Sequence, residues 1–349
     1  MRGSRMRQLI ILIGISGSGK STIAKEQEKV KQNTKRISSD ELRLQLYGTL
    51  SEGNQHNARV FEIMNKTVFK ELEEKDAIVY YDATNLSRKR RAHLYQEAKR
   101  RFTDVKVICQ VVFCNPELAK LRQTYRIGDE AVPNDVIERQ FMNLQVPRVS
   151  VDCDDIVLSG ECWFDKGEVI AHRVRLTLRA LVYYATDAFK PLLKLNYAPH
   201  ESKWHTESID VHILAVNNTA VQRYEAKDTS SFLAAAFHDL GKGYVKNRGI
   251  NFGTSHYLTH EAVGAQILLN AIHCFGDLLE LDKEECLEAV ERVYQHMIAH
   301  QIRNGNWSEK TIKKWQVKHD ISDELLINLL KFAEIDALCS IPVKEEGPA

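Results

Sequence analysis

The sequence predicts two domains of different class: an α/β domain built on a parallel sheet with flanking helices, followed by an all-helical domain. Three observations carry this. Strand-like apolar runs alternate with helix-like stretches through the first half; from about Val169 long amphipathic stretches replace them; and the run GISGSGKST, Gly14 to Thr22, stands where the first strand turns into the first helix. At 349 residues the chain is also longer than one hydrophobic core usually supports.

In order, RQLIILIGIS reads as a strand, STIAKEQEKV as a helix and RISSDEL as a short strand meeting a helix start. VFEIMNKTVFKELEEK then reads as a helix, AIVYYDAT as a strand, RKRRAHLYQEAKRR as a helix and VKVICQVVFCN as a strand. Alternation at this spacing builds βαβ units and a parallel sheet. One last apolar run, Ile156 to Leu158, precedes a Gly- and Asp-containing break, which puts the boundary near 166–170 and the domains at 1–168 and 169–349. Beyond it HRVRLTLRALVYYATDAF, SIDVHILAVNNTAVQRY, HEAVGAQILLNAIHCF and EECLEAVERVYQHMIAHQ carry helical periodicity, and the tail KEEGPA is expected to fray.

No apolar run reaches the roughly 18 residues that span a bilayer, and the N-terminus lacks a cleavage-site pattern, so a cytoplasmic protein without a membrane partner is expected. The opening MRGS has the character of an appended leader, which would put the natural start at Met6. Seven cysteines without a CxxC pair argue against a disulfide framework or a zinc-thiolate site; Cys109 and Cys114 read as small hydrophobic residues. Charge is divided unevenly. Residues 1–150 hold 27 lysines and arginines against 18 aspartates and glutamates, and 151–349 hold 21 against 29, giving +9 and −8. A basic half suits a polyanion and an acidic, histidine-rich half suits a cation, with solvated surface charge the alternative for each.

Gly14, Gly19, Lys20 and Ser21 satisfy GxxxxGK[ST] between a strand and a helix, the context of a phosphate-cradling P-loop. Backbone amides of Gly14, Ser16, Gly17, Ser18, Gly19, Lys20, Ser21 and Thr22 would wrap the phosphates of ATP, Lys20 would reach the β/γ-phosphates and Ser21 would ligate Mg²⁺. Two clusters bear on the acceptor. In ISSDELRLQLYG, Asp40 and Arg43 fall on one side of a first helical turn, suited to accepting a hydroxyl proton and clamping a phosphate; alternatively Ser38, Ser39 and Asp40 simply cap the helix. In YYDATNLSRKRR, Asp82 ends a strand, Thr84 and Asn85 form a turn, and Arg88 to Arg91 form either a solvated helix start or a backbone-binding patch.

DELR, DATNLSRKRR and RQTYRIGDEAVPNDVIERQF follow one another as in phage-type 5′-hydroxyl polynucleotide kinases, which residues 8–150 resemble. The resemblance implies Asp40 as general base, Arg43 as acceptor-phosphate clamp, Asp82 lining the acceptor site, and Arg126 and Arg122 as lid arginines before Ala131, Val132 and Pro133.

In the helical half, AAAFHDLGKG places His238 and Asp239 together at a helix end, followed by Lys242. Two ligands are too few for a metal, and His212, His256, His260, His296, His300 and Asp336 are further candidates. The order H…HD…H…H…D resembles the HD-domain metal-dependent phosphohydrolases over residues 200–342. That resemblance implies one divalent metal on His212, His238, Asp239 and Asp336, and a second on His260 with His296 or His300. It leaves His205 and His256 beside the ligands, with Lys242 either binding substrate phosphate or capping a helix. The metal's identity stays open among Mn, Fe, Co, Ni, Zn and Mg.

A 5′-kinase joined to a phosphohydrolase points to healing of broken nucleic-acid ends, RNA ahead of DNA: phosphorylation of a 5′-OH and removal of a 3′- or 2′,3′-cyclic phosphate, leaving ends for a separate RNA ligase. The alternatives are a metabolite or nucleoside kinase fused to a nucleotide phosphohydrolase, and a nucleotide-gated regulator of the helical half.

Overall fold

A computed structural model describes residues 6–165, 178–200, 205–223, 228–246, 257–276 and 281–341. The chain divides into two compact units, Met1–Glu161 and Cys162–Ala349. The break expected at 166–170 and His256 lie outside the described residues, as does the tail 342–349.

In the first unit the elements run β1 (Arg7–Ile13), α1 (Lys20–Val30), β2 (Thr34–Ser38), α2 (Ser39–Tyr47), α3 (Leu50–Gln55) and α4 (Asn57–Glu71). They continue with β3 (Ile78–Asp82), α5 (Arg88–Arg101), β4 (Val105–Phe113), α6 (Pro116–Gln123), α7 (Asn134–Met142) and β5 (Asp155–Gly160). The strands form one sheet of order β2-β3-β1-β4-β5, parallel throughout. β1 is central and buried from Leu9 onward, which is why its sequence is a continuous apolar run. On one face Ile10, Leu12, Tyr80 and Val112 pack with Ala24 of α1. The Ile156–Leu158 run is the edge strand β5, whose mixed burial explains its weak signal.

Chain order reverses around β1, since β3 and β4 flank it and β2 lies beyond β3. In such sheets ligands gather outside the carboxyl ends of the strands at this switch point. The glycine-rich loop, Ser38, Asp82 and Cys114 all stand at or just past those carboxyl ends.

The second unit is helical: α8 (Leu178–Tyr184), α9 (Lys190–Lys194), α10 (Ile209–Arg223), α11 (Thr229–Phe237), α12 (Leu240–Val245), α13 (His260–Phe275), α14 (Lys283–Arg303), α15 (Glu309–His319) and α16 (Asp323–Cys339). The long α14 packs against α11, α13 and α16. Caps set several boundaries: Asp228, Asp282, Ser308 and Ser322 accept from amides of the first turns of α11, α14, α15 and α16. The stretch read as one helix through Phe189 is interrupted. α8 stops at Tyr184 because Ala185 and Phe164 form a bridge, and α9 starts afresh with Pro191 in its first turn.

Candidate functional site

In the first unit the loop after β1 is shaped by close approach. A Cβ on Gly14 would lie 2.6 Å from the Val112 carbonyl oxygen, so only glycine lets the strand end turn there. Gly14 N donates to the Thr84 carbonyl at 3.2 Å, tying the loop to the turn after β3. Asn85 secures that turn: in a left-handed conformation (φ 48°), its side-chain amide donates to Leu12 O at 2.7 Å. Gly19 is the N-cap of α1, and Ser21 and Thr22 are exposed on its first turn.

Lys20 is buried and curls back to donate to Ile15 O at 2.7 Å and Ser18 Oγ at 3.3 Å. Burial lowers its pKa to about 8, with Asp82 and Asp40 opposing the drop and Arg126 adding to it. The charges expected around the transferring phosphate are therefore within electrostatic reach of this lysine. Arg43 bonds Asp40 Oδ1 at 2.6 Å and Asn57 Oδ1 at 2.6 Å, while the Asp40 side chain is 63% exposed. The capping alternative is met by a neighbour: Ser38 Oγ accepts from Glu41 N, leaving Asp40 unused as a cap.

Asp82 is buried against Arg36 at 2.8 Å, a cation that residue spacing did not single out. Arg122 donates to the Gly17 carbonyl at 2.8 Å, and Arg126 to the Glu130 carbonyl at 3.3 Å. Gln140 of α7 was also missed; its Oε1 accepts from Ser16 N at 2.7 Å, so it holds one amide of the loop.

The basic run needs correction. Arg88 and Arg91 are buried rather than solvated. Arg88 donates to Val146 O, and Arg91 to Asp152 at 2.8 Å and Asn85 O at 2.6 Å, because helical spacing turns both inward while Lys89 and Arg90 face out.

In the second unit five elements converge. α10 brings His212, the α11–α12 junction His238 and Asp239, α13 His260, α14 His296 and His300, and α16 Asp336. Two groups form, His212 with His238 and Asp336, and Asp239 with His260 and His296. Asp239 joins them: its Oδ2 lies 3.4 Å from His238 Nε2 and 3.5 Å from His212 Nε2, and its Oδ1 3.4 Å from His260 Nε2 and 3.8 Å from His296 Nε2. Of the two candidates on α14, His296 groups with Asp239 and His260, while His300 Nε2 donates to Asp336 Oδ2 at 2.8 Å. The packing that brings α12 to α13 needs glycine, because a Cβ on Gly241 would lie 2.0 Å from the His260 carbonyl oxygen.

Ring tautomers test whether a cation fits. The Nδ1 atoms of His238, His260 and His296 lie 3.0, 2.7 and 2.6 Å from the carbonyls of Ala235, Tyr257 and Val293. A carbonyl only accepts, so each Nδ1 carries the proton and a neutral ring offers a lone pair at Nε2. Those Nε2 atoms face a carboxylate, and His260 and His296 face each other at 3.0 Å. Burial and then His260 hold the pKa of His296 well below its ordinary value. Burial lowers that of His238 too, but Asp239 and Asp336 raise it above ordinary, and its buried Nε2 has no hydrogen-bond partner. A proton and a cation would compete for that nitrogen. The donor set fits one or two divalent transition metals.

Lys242 is no helix cap: it is buried and its ammonium lies 2.6 Å from Asp239 Oδ2. It also donates to His200 Nε2 at 3.4 Å, while His200 Nδ1 donates to Glu207 O at 3.0 Å. Burial, then Lys242, push His200 down to about 3, so it accepts as a neutral ring. His205 Nδ1 donates to Glu207 Oε1 at 2.7 Å, and the same oxygen stands 3.4 Å from His212 Nδ1. His200 and Glu207 thus support the cluster from behind; only their proximity to His205 along the chain could have suggested them.

The parallel sheet of this order with its phosphate loop defines a P-loop kinase-like domain, a class that takes ATP with Mg²⁺. Residues 9–147 match a family model, AAA_33, described as an AAA domain. Among solved structures, one titled as the Pnkp1/Rnl/Hen1 complex is similar at 24% identity over 35% of this chain and 40% of that one, TM-score 0.29. One of the Pnkp1/Rnl/Hen1 RNA repair complex is similar at 22% over 41% and 45%, TM-score 0.33. A gluconokinase from Sinorhizobium meliloti 1021 is similar at 20% over 44% and 82%, TM-score 0.30. The chain spans less than half the length of the first two. No curated protein matches it. Among the described residues no helix is long and apolar enough to cross a membrane.

Proposed function

We propose that the first unit phosphorylates 5′-OH ends of nucleic acid, RNA ahead of DNA, and that the second is an HD-type phosphohydrolase that removes a 3′- or 2′,3′-cyclic phosphate from such strands. The observation that carries the kinase reading is the glycine-rich loop with its buried Lys20 at the carboxyl end of β1, beside Ser38 and Asp82 at the ends of β2 and β3. In the reaction a 5′-oxygen attacks the γ-phosphorus of ATP, the bond to the β-phosphate oxygen breaks, and the hydroxyl proton passes to Asp40. One carboxylate oxygen of Asp40 is engaged by Arg43, which leaves the other for the hydroxyl. Arg43, held by Asn57, stands to clamp the acceptor phosphate, and Arg126 and Arg122 to face the transferring group. Ser21, exposed on the first turn of α1, would hold Mg²⁺.

For the hydrolase reading, the converging Nε2 lone pairs of His238, His260 and His296 carry the argument. With His212, Asp239 and Asp336 they would hold the divalent metals, which supply Lewis acidity toward a phosphoryl oxygen. Lys242, whose side-chain nitrogen lies 2.6 Å from Asp239 Oδ2, would bind the substrate phosphate. A cytoplasmic setting agrees with seven free cysteines. The healed ends would suit a separate RNA ligase.

The test is an RNA oligonucleotide with 5′-OH and 2′,3′-cyclic phosphate ends, incubated with ATP and divalent metal, both termini being mapped. A 5′-phosphate and a phosphate-free 3′ end are expected, and the Asp40→Ala variant should lose at least about 100-fold in 5′-phosphorylation while KM for ATP holds. Phosphorylation of small metabolites with no oligonucleotide product would sink the reading.

A further inference from the structure

Several exposed cations are neutralised by an acid three or four residues away in the chain. Lys66 reaches Glu62 at 2.7 Å, Lys190 Asp187 at 3.0 Å and Arg139 Asp135 at 3.0 Å, while Arg100 and Arg101 share Glu97. α15 instead gathers several such cations on one face. Its sequence, EKTIKKWQVKH, holds four lysines and a single acid, Glu309, in the first turn. Lys310, Lys313, Lys314 and Lys318 are exposed, and at about 100° per residue they fall within an arc of about 140°, away from Ile312 and His319. None of the four pairs with another described residue. Like charges three and four residues apart destabilise a helix, a repulsion that a bound polyanion would relieve.

The opposite face fixes where this helix sits. Trp315 is buried with Ala299, Ile321, Leu325, Leu329 and Ala333. Ala299 lies between His296 and His300 on α14, and Ala333 is three residues before Asp336 on α16. Trp315 therefore ties α15 to a core that includes residues of the turns carrying the histidine–aspartate cluster. Because its apolar face is spent in this packing, it has none to lay into a lipid surface, and Val317 is the one large apolar residue exposed among the lysines.

We propose that the lysine face of α15 binds the sugar–phosphate backbone of a single-stranded nucleic acid and so delivers its phosphate end to the neighbouring cluster. This rests on the reading of the second unit as a nucleic-acid phosphohydrolase. Four phosphates engaged by four lysines would give a salt dependence of binding steeper by about 3 in log–log slope than without them.

The experiment uses the full chain and a variant with Lys310, Lys313, Lys314 and Lys318 all changed to Gln. Binding of a fluorescently labelled 20-nucleotide single-stranded RNA with a 3′-phosphate is followed by anisotropy from about 50 to 300 mM KCl. The variant should lose about tenfold or more in affinity at low salt, with a slope shallower by about 2 to 3, a melting temperature no lower than the parent's and unchanged hydrolysis of bis-p-nitrophenyl phosphate. On the RNA its KM should rise while kcat holds. An unchanged slope and KM would overturn the proposal, as would binding of anionic phospholipid vesicles through these lysines with no change toward RNA. If the variant loses RNA binding but neither protein hydrolyses the RNA end, docking stands and the hydrolase assignment falls.

Discussion

Lys20 shows how a residue's environment becomes a testable property. In an unfolded chain a lysine titrates near 10.5, and in the folded loop burial brings it to about 8. Between those values the unfolded chain holds more protons, so this group's contribution to stability rises with pH across the window and is least below about 8. Nucleotide binding has the opposite sign, because polyphosphate favours the charged ammonium. ATP affinity is therefore expected to be flat below pH 8 and to fall about tenfold per unit above it, with proton uptake on binding at pH 9. Titration calorimetry in buffers of differing ionisation enthalpy measures both, and a flat profile from pH 7 to 10 would contradict the assignment. At this scale the sequence was informative wherever chemistry lies in consecutive residues, as in GISGSGKST and HDLGKG. It was silent on Arg36 and Gln140, whose partners Asp82 and Ser16 lie 46 and 124 residues away. Spacing encodes which residues share a helical turn; it says nothing about which side chains meet across a sheet.

α5 shows why an element, and not its composition, decides what a charge run does. RKRR at its start reads as one basic patch, but a helix separates its members. Arg88 and Arg91, three apart, share the inward side, and Lys89 and Arg90 share the outer. Arg91 then ties the turn after β3 to the segment before β5, through Asn85 O, Gln145 O and the Asp152 carboxylate. Removing it would leave Asp152 buried without its ionic partner, so Arg91→Met should cost about 3–5 kcal/mol in chemical denaturation. Lys89→Ala and Arg90→Ala should stay within about 0.5 kcal/mol. Equal effects from all three would mean that the run acts as a surface patch after all. The α11–α12 junction makes the same point: Gly241 of HDLGKG is there because α13 passes too close for a side chain.

For the whole molecule, strand alternation and helical periodicity were enough to foresee a parallel sheet followed by helices, because hydrophobic period follows directly from which faces are covered. The edge strand β5 and the break between α8 and α9 were harder, since each depends on a partner remote in sequence. The candidate residues for phosphoryl transfer all lie in Met1–Glu161, and those for hydrolysis all lie in Cys162–Ala349. Each group is supported from within its own unit: Asn57 and Arg36 hold Arg43 and Asp82, and Glu207 and His200 stand behind His212 and Lys242. Two sites so built should fail separately. In the full chain, Lys20→Met is expected to abolish 5′-phosphorylation with metal-dependent hydrolysis within about twofold of the parent. Asp239→Asn, which removes the carboxylate shared by both histidine groups, should lower hydrolysis by about 100-fold or more and leave phosphorylation intact. Initial rates of both reactions on one oligonucleotide, before and after each substitution, measure this directly. If either single substitution depressed both rates together, the loops and helices that look self-sufficient would have to be working as one catalytic assembly.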